Sequence, residues 1–184
     1  MAFKRKKNFG IEIIETTIID NSDTIYMGQP VKTRNGNIEI IAAGDAMSGV
    51  VVDIVDKNGN SIFGSLAVKG LATVSGSPDS GYVTVGATNE TVDLIAAKID
   101  MSPFTIYSAS VTGTMNTTNA SNKKGGWVDG VVASSQVSIN ETTNTLTVGT
   151  AGQFKNWGVD PDDSSRMLVS IAESEFFTAA IALA

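Results

Sequence analysis

The stretch NWGVDPDDSSRMLVSIAESEFF, residues 156–177, decides how this chain is read: a polar, tightly punctuated turn feeds straight into a compact apolar run. Trp157-Gly158 sets a bulky anchor beside a permissive backbone position. Asp160-Pro161 presets a turn, or the first residue of a short helical turn, because proline fixes φ and offers no N–H. Asp162 and Asp163 suit the positive end of such a turn. Met167 to Ala172 is then a dense apolar segment broken only by Ser170, long enough to cross the edge of a core as one strand.

Upstream, short apolar runs separated by turn residues recur. Ile38–Ala43 follows Asn35-Gly36, Tyr82–Val85 follows a Ser/Gly/Pro/Asp loop at 75–81, and Trp127–Ala133, Gln136–Ile139 and Leu146–Val148 read as further strands. Val50–Val55 and Ile62–Val68 flank Asn58-Gly59, which predicts a hairpin with a type I′ turn. In Phe104–Val111 the alternation places Thr105, Tyr107, Ala109 and Val111 on one side, with Phe104, Ile106 and two serines on the other. Val92–Ile99 fits either a short helix or a strand and is read as a strand. The fold class is all-β: a short-stranded barrel or sandwich with an extended N-terminal arm and long loops.

The arm is residues 1–20, ahead of a single β-rich domain at 21–184. It opens with Lys4-Arg5-Lys6-Lys7, a solvated leader by composition. Of 13 basic and 19 acidic residues these four leave nine against nineteen, so a basic leader of +4 stands against a net charge of −10 for the remainder of the chain. That body repels phosphate, and no Arg-rich helix follows, so sequence-specific nucleic-acid binding is not expected. Ile11–Ile19, IEIIETTII, is β-branched and extended; it either docks on a neighbour's sheet edge or pairs within its own sheet. The segment 9–20 is too short and too charged for a membrane span, and a soluble protein made in the cytoplasm is expected.

With no cysteine and no histidine, disulfide frameworks, thiolate or imidazole metal sites and His-based triads are excluded. Three acidic groupings remain, Asp160/Asp162/Asp163, Glu173/Glu175 and Asp53/Asp56. None has the spacing of two carboxylates held about 5–9 Å apart across a sugar. Asp56, Asn58 and Asn60 resemble the opening of a calcium loop, but Ser61 and Ala67 stand where glycine and glutamate are needed, and a tight turn explains them. No catalytic, cofactor or metal residue is assigned, and an enzyme is not expected. The candidate interface residues are Lys4, Arg5, Lys6 and Lys7 of the leader, Ile11 and Ile13 of the arm, and Lys123, Lys124 and Trp127 in or beside the polar loop at 113–126.

WGVDPDDSSRMLVSIAESEF from Trp157 resembles the C-terminal segment of small virion structural proteins of tailed bacteriophages, of the capsid decoration type. TIYSASVTG from Thr105, the polar loop before Gly125-Gly126-Trp127, and IEIIAAGDAMSGVVVDI from Ile38 are similar to that group in order and spacing, so the resemblance spans most of residues 26–177. It implies a non-enzymatic β-rich protein on the capsid exterior that contacts the major capsid protein and assembles as a symmetric homo-oligomer, a trimer by preference. A carbohydrate- or receptor-binding module, or a head–tail structural component, is the alternative.

Overall fold

The computed structural model describes residues 3–8, 13–20, 23–41, 47–64, 72–76, 81–86, 95–112, 137–140, 145–148 and 154–171. Their strands are β1 (Phe3–Asn8), β2 (Ile14–Ile19), β3 (Thr24–Tyr26), β4 (Pro30–Arg34), β5 (Asn37–Ile40), β6 (Gly49–Val55), β7 (Ala72–Ser75), β8 (Tyr82–Val85), β9 (Ala96–Asp100), β10 (Thr105–Thr112), β11 (Val137–Asn140), β12 (Thr145–Val148), β13 (Phe154–Asp160) and β14 (Asp163–Ile171), with a 3₁₀ turn at Ile62–Gly64. The chain is all-β, and it contains a closed barrel in the order β2-β5-β4-β6-β9. Beside the barrel lies a sheet ordered β11-β12-β10-β14-β13, with β1 also paired to β10, and a small sheet ordered β3-β8-β7.

The barrel closes because its strands bury one face each and leave no edge to water. Ile19, Val31, Ile38, Val51, Ile54, Ala97 and Ile99 meet inside it, and Ile25, Val83 and Val85 of the small sheet join the same cluster. β6 serves two cores, since Val51 and Ile54 belong to this cluster while Val50 belongs to the second. That second core holds Tyr107 and Ala109 of β10, Met167, Val169 and Ile171 of β14, Phe154 of β13 and Phe3 of β1. The strand expected at 167–172 thus exists, but its alternation sends Leu168 to the opposite face.

One antiparallel run ties the two sheets together. β1 pairs with β10 from Phe3↔Ala109 to Asn8↔Thr105, the Ile13 carbonyl accepts the Met101 amide at 2.9 Å, and β2 pairs with β9 from Ile14↔Asp100 to Ile18↔Ala96. The described part of residues 1–20 therefore pairs within its own chain, and Lys4–Lys7, read above as a solvated leader, lie on a sheet strand. Phe3 is the physical reason. Its ring stacks on Phe154 at 4.9 Å and meets Tyr107 edge-on at 6.0 Å, which contributes about 2–3 kcal/mol by burial alone. Its carbonyl lies so close to Gly28 (φ 71°) that no side chain fits there.

The hairpin turns divide differently from the expectation. Asn35 and Gly36 both take positive φ, 53° and 85°, and join β4 to β5 as a type I′ pair does. At Asn58-Gly59 only the glycine does, at 81°. Asp56 builds that turn instead: its Oδ1 accepts the amides of Asn58 at 2.8 Å and Asn60 at 3.0 Å. Val55 and Ser61 pair across this turn in a single antiparallel bridge and the chain then enters the 3₁₀ turn at 62–64, so the connection is not of type I′; residues 65–68 of the expected second strand lie outside the described residues.

Candidate functional site

On the outer face of the open sheet lies a groove of about 610 Å³. Alternation along β10 and β14 turns Tyr107 and Val169 inward, leaving Ile106 and Leu168 to line the groove. A bulge between Asn156 and Gly158 takes Trp157 out of strict alternation, and its Nε1 donates to Ser170 Oγ at 2.9 Å. The indole thus adds an apolar wall while its one polar atom is satisfied. Pro103 and Phe104 at the β9–β10 turn form one end, and the hairpin turn at Asp160, Pro161 and Asp162 forms the other.

The third wall is β1. In register, Lys4 stands opposite Ser108, Arg5 opposite Tyr107 and Lys7 opposite Ile106, with a bulge between Arg5 and Lys7. Arg5 therefore turns towards the core. Its Nε lies 3.5 Å from Oδ2 of Asp100, a fully buried carboxylate that also accepts Thr105 Oγ1 and the Ser102 amide, both at 2.9 Å. Burial first, and then the Asp100 charge, raise the neighbouring Tyr107 phenol well above its ordinary value, so it stays protonated in the core. Lys6 instead turns to the groove.

Lys6 Nζ lies 3.2 Å from Asp160 and 2.9 Å from Asp162. Hydrogen bonds to Asp162 and then Asp160 hold the ammonium above its ordinary value. Asp160 is only 2% exposed. Burial pushes its carboxyl up, but the Ser108 hydroxyl, the Asp162 amide and the Lys6 ammonium more than offset this and hold it below the ordinary carboxylate range. Its Oδ2 makes no well-aligned hydrogen bond, so the ammonium charge is what compensates that atom. Asp160 Oδ1 accepts the Asp162 amide at 3.0 Å, which fixes the turn. The acidic turn expected from the sequence is therefore a turn and an ion-pair partner together.

Of the candidate interface residues, Lys4, Arg5, Lys6 and Lys7 come together on β1, and Lys6 and Lys7 wall the groove. Ile13, 42% exposed, immediately precedes barrel strand β2 and does not line the groove. Ile11, Lys123, Lys124 and Trp127 lie outside the described residues, as do Glu173 and Glu175. Asp53 is engaged by the Ile54 amide and Ser61 Oγ, both at 2.9 Å, and lies 3.7 Å from Lys98. Phe104, Ile106 and Leu168 are groove residues that the interface reading missed. The signal for two of them was present, since alternation already put Phe104 and Ile106 on the side opposite Tyr107.

The arrangement suits binding an apolar side chain beside a charged wall: Phe104 is 49% exposed at one end, and the lysines of β1 stand along one side. Comparison with protein families, curated proteins and solved structures finds no match for this chain.

Proposed function

We propose that this chain is a non-enzymatic decoration protein of a tailed-phage head, which binds the outer surface of the major capsid protein lattice and stabilises the mature capsid. The observation that carries this reading is a coincidence of two residue sets. The segment 157–176 bears the resemblance to virion structural proteins, and the same segment supplies Trp157, Asp160, Pro161, Asp162 and Leu168 to the exposed groove. A barrel without edges supports the groove from behind, as a protein whose work is contact area requires. Binding the assembled lattice and not the free subunits stabilises the capsid by linkage, and a symmetric homo-oligomer, a trimer by preference, multiplies each contact.

The test compares heads assembled without the chain with the same heads after the purified chain is added back. We expect added density at symmetry-related positions on the capsid exterior by electron cryo-microscopy, and a higher temperature of head rupture. Heads that gain neither overturn the reading. A carbohydrate- or receptor-binding module is the second reading, supported by the exposed Phe104 ring and by Trp157, which line the same groove and offer aromatic faces to a sugar. Glycan-array binding that is lost in Phe104→Ala would favour it.

A further inference from the structure

The small sheet presents a second surface. Ile25 of β3 and Val83 and Val85 of β8 are buried in the barrel cluster, so by alternation Thr24, Tyr26, Tyr82 and Thr84 face the other way. β7 extends this outer face, because Thr73 stands opposite Thr84 and Ser75 opposite Tyr82. Two rows therefore cross the three strands, Thr73–Thr84–Thr24 and Ser75–Tyr82–Tyr26. None of these six residues lines the groove.

All six carry a hydroxyl, two carry an aromatic ring and none carries a charge. Thr24 and Thr84 share a hydrogen bond of 2.7 Å between their hydroxyls, which fixes one row. In the other, the Tyr26 and Tyr82 rings lie 5.1 Å apart with their planes tilted by 42°. Among the described residues no side chain engages either phenol oxygen, and Thr73 and Ser75 are exposed. The chemistry of the face narrows what it accepts. A lipid or an aliphatic side chain would leave the hydroxyls unpaired. An anion finds no lysine or arginine among the six, and the charge flanking β3 is acidic: Asp23 precedes Thr24, its carboxyl held above the ordinary value by burial first and then by Asp20 and Glu39. A neutral sugar meets both demands, since its C–H face covers a ring while its hydroxyls pair with hydroxyls.

We propose that the outer face of the small sheet binds an uncharged polysaccharide, which lies across the strands with its pyranose rings against Tyr26 and Tyr82 and its hydroxyls bonded to the threonine row and Ser75. The spacing of the two tyrosines follows that of paired strands, about 4.8 Å, and is close to one residue of an extended hexopyranose chain. The opposite side of the sheet is packed into the barrel cluster, so the face is held rigid before any ligand arrives. Each site is small and binds weakly on its own; several copies on one particle or oligomer raise the avidity. This site is distinct from the groove and does not rest on the capsid reading.

A glycan array probed with the labelled full chain tests it. The chain should be retained on neutral oligosaccharides and not on their uronic-acid or sulfated counterparts, and raised salt should leave retention unchanged. Tyr82→Ala and Ser75→Arg should each weaken it about tenfold. Ser75 is exposed, so Ser75→Arg should melt as the wild type does, and its lost retention then reports the face and not the fold. Phe104→Ala, in the groove, should bind glycan undiminished. Retention on no neutral glycan, preference for the acidic ones, or full retention by Ser75→Arg overturns the proposal. So does loss of retention in Phe104→Ala, which would place the sugar in the groove instead. Uptake by capsids is read separately: heads that take up Ser75→Arg as they take up the wild type keep the decoration reading whatever the array shows.

Discussion

The closed barrel buries a cluster made wholly of apolar residues, from Ile19 to Ile99, while the open sheet and its junction with the barrel bury Asp100, Thr105, Ser108, Asp160 and Ser170 beside their apolar neighbours. The difference follows from closure. A barrel satisfies its backbone internally and needs no charge to finish it. The sheet ends in edges and buries one carboxylate, Asp160, while a second, Asp100, is buried where barrel strand β9 ends at the junction with the sheet; both find their cations on β1, Arg5 for Asp100 and Lys6 for Asp160. A buried charge stripped of its partner costs far more than the pair contributes, so the sheet and its junction with the barrel lean on β1 in a way the barrel's apolar interior does not.

The largest expected effect separates the two regions by one substitution in each. Ile54→Asp places a carboxyl group in the fully buried barrel cluster, where an unpaired polar group and the lost packing together cost a large share of the ~5–15 kcal/mol that holds a domain together. No soluble protein should be recovered. Leu168→Asp lies on the half-buried outer face of the sheet, and the fold should survive with a melting temperature lowered by only a few degrees while groove binding is lost. Soluble yield and circular-dichroism melts decide it. Equal loss of folding in both would mean that the outer face belongs to the core.

A smaller contrast tests how far the sheet depends on β1. Gly28 and Gly36 both hold positive φ, so alanine at either strains the backbone by about 1 kcal/mol. At Gly36 a new Cβ meets open space, whereas at Gly28 it meets the Phe3 backbone and β1 must move. Losing Phe3 from its pocket adds about 2 kcal/mol. Gly28→Ala should therefore lower the melting temperature roughly three times as far as Gly36→Ala, and should speed tryptic cleavage at Lys4–Lys7. Equal shifts and equal cleavage would show that β1 contributes no more than a surface turn.

The sequence made some of this visible and hid the rest for a physical reason. Alternation at 105–109 announced which face of β10 is buried, Asn35-Gly36 announced its hairpin, and Asp160-Pro161 announced its turn; each signal is local. β1 was hidden because one phenylalanine followed by four cations carries no strand period, and every partner that makes it a strand is distant in sequence: Ala109, Phe154, Asp100, Asp160. Trp157 could be read as an anchor, but the face it takes depends on a bulge that composition does not encode. Asn58-Gly59 misled for the opposite reason. The dipeptide fits an I′ turn, yet the Asp56 carboxylate outcompetes it by capturing two amides locally.

The subtlest difference between the regions is in their response to pH. Asp160 is held below the ordinary carboxylate value of 3.8, so its contribution is fully present above that value and is lost as pH falls through the lower folded one. Lys6 is held above 10.5, so its contribution is present below that value and is lost as pH rises through the higher folded one. The clamp between β1 and the hairpin should thus weaken at both extremes. Acid unfolding also reports Asp56 and Asp163, whose carboxyls are held low by their own turn hydrogen bonds, so the useful quantity is the difference between the wild type and Lys6→Met. Removing the ammonium leaves burial of Asp160 opposed only by the Ser108 hydroxyl and the Asp162 amide, which raises its folded value and shrinks the acid slope of stability. Hydrogen exchange should locate that change in the amides of β10 and β14 and leave those of β5 and β9 unmoved. An acid slope identical in the two proteins would mean that Lys6 neutralises nothing that matters to folding, and that the sheet, like the barrel, stands on its apolar contacts alone.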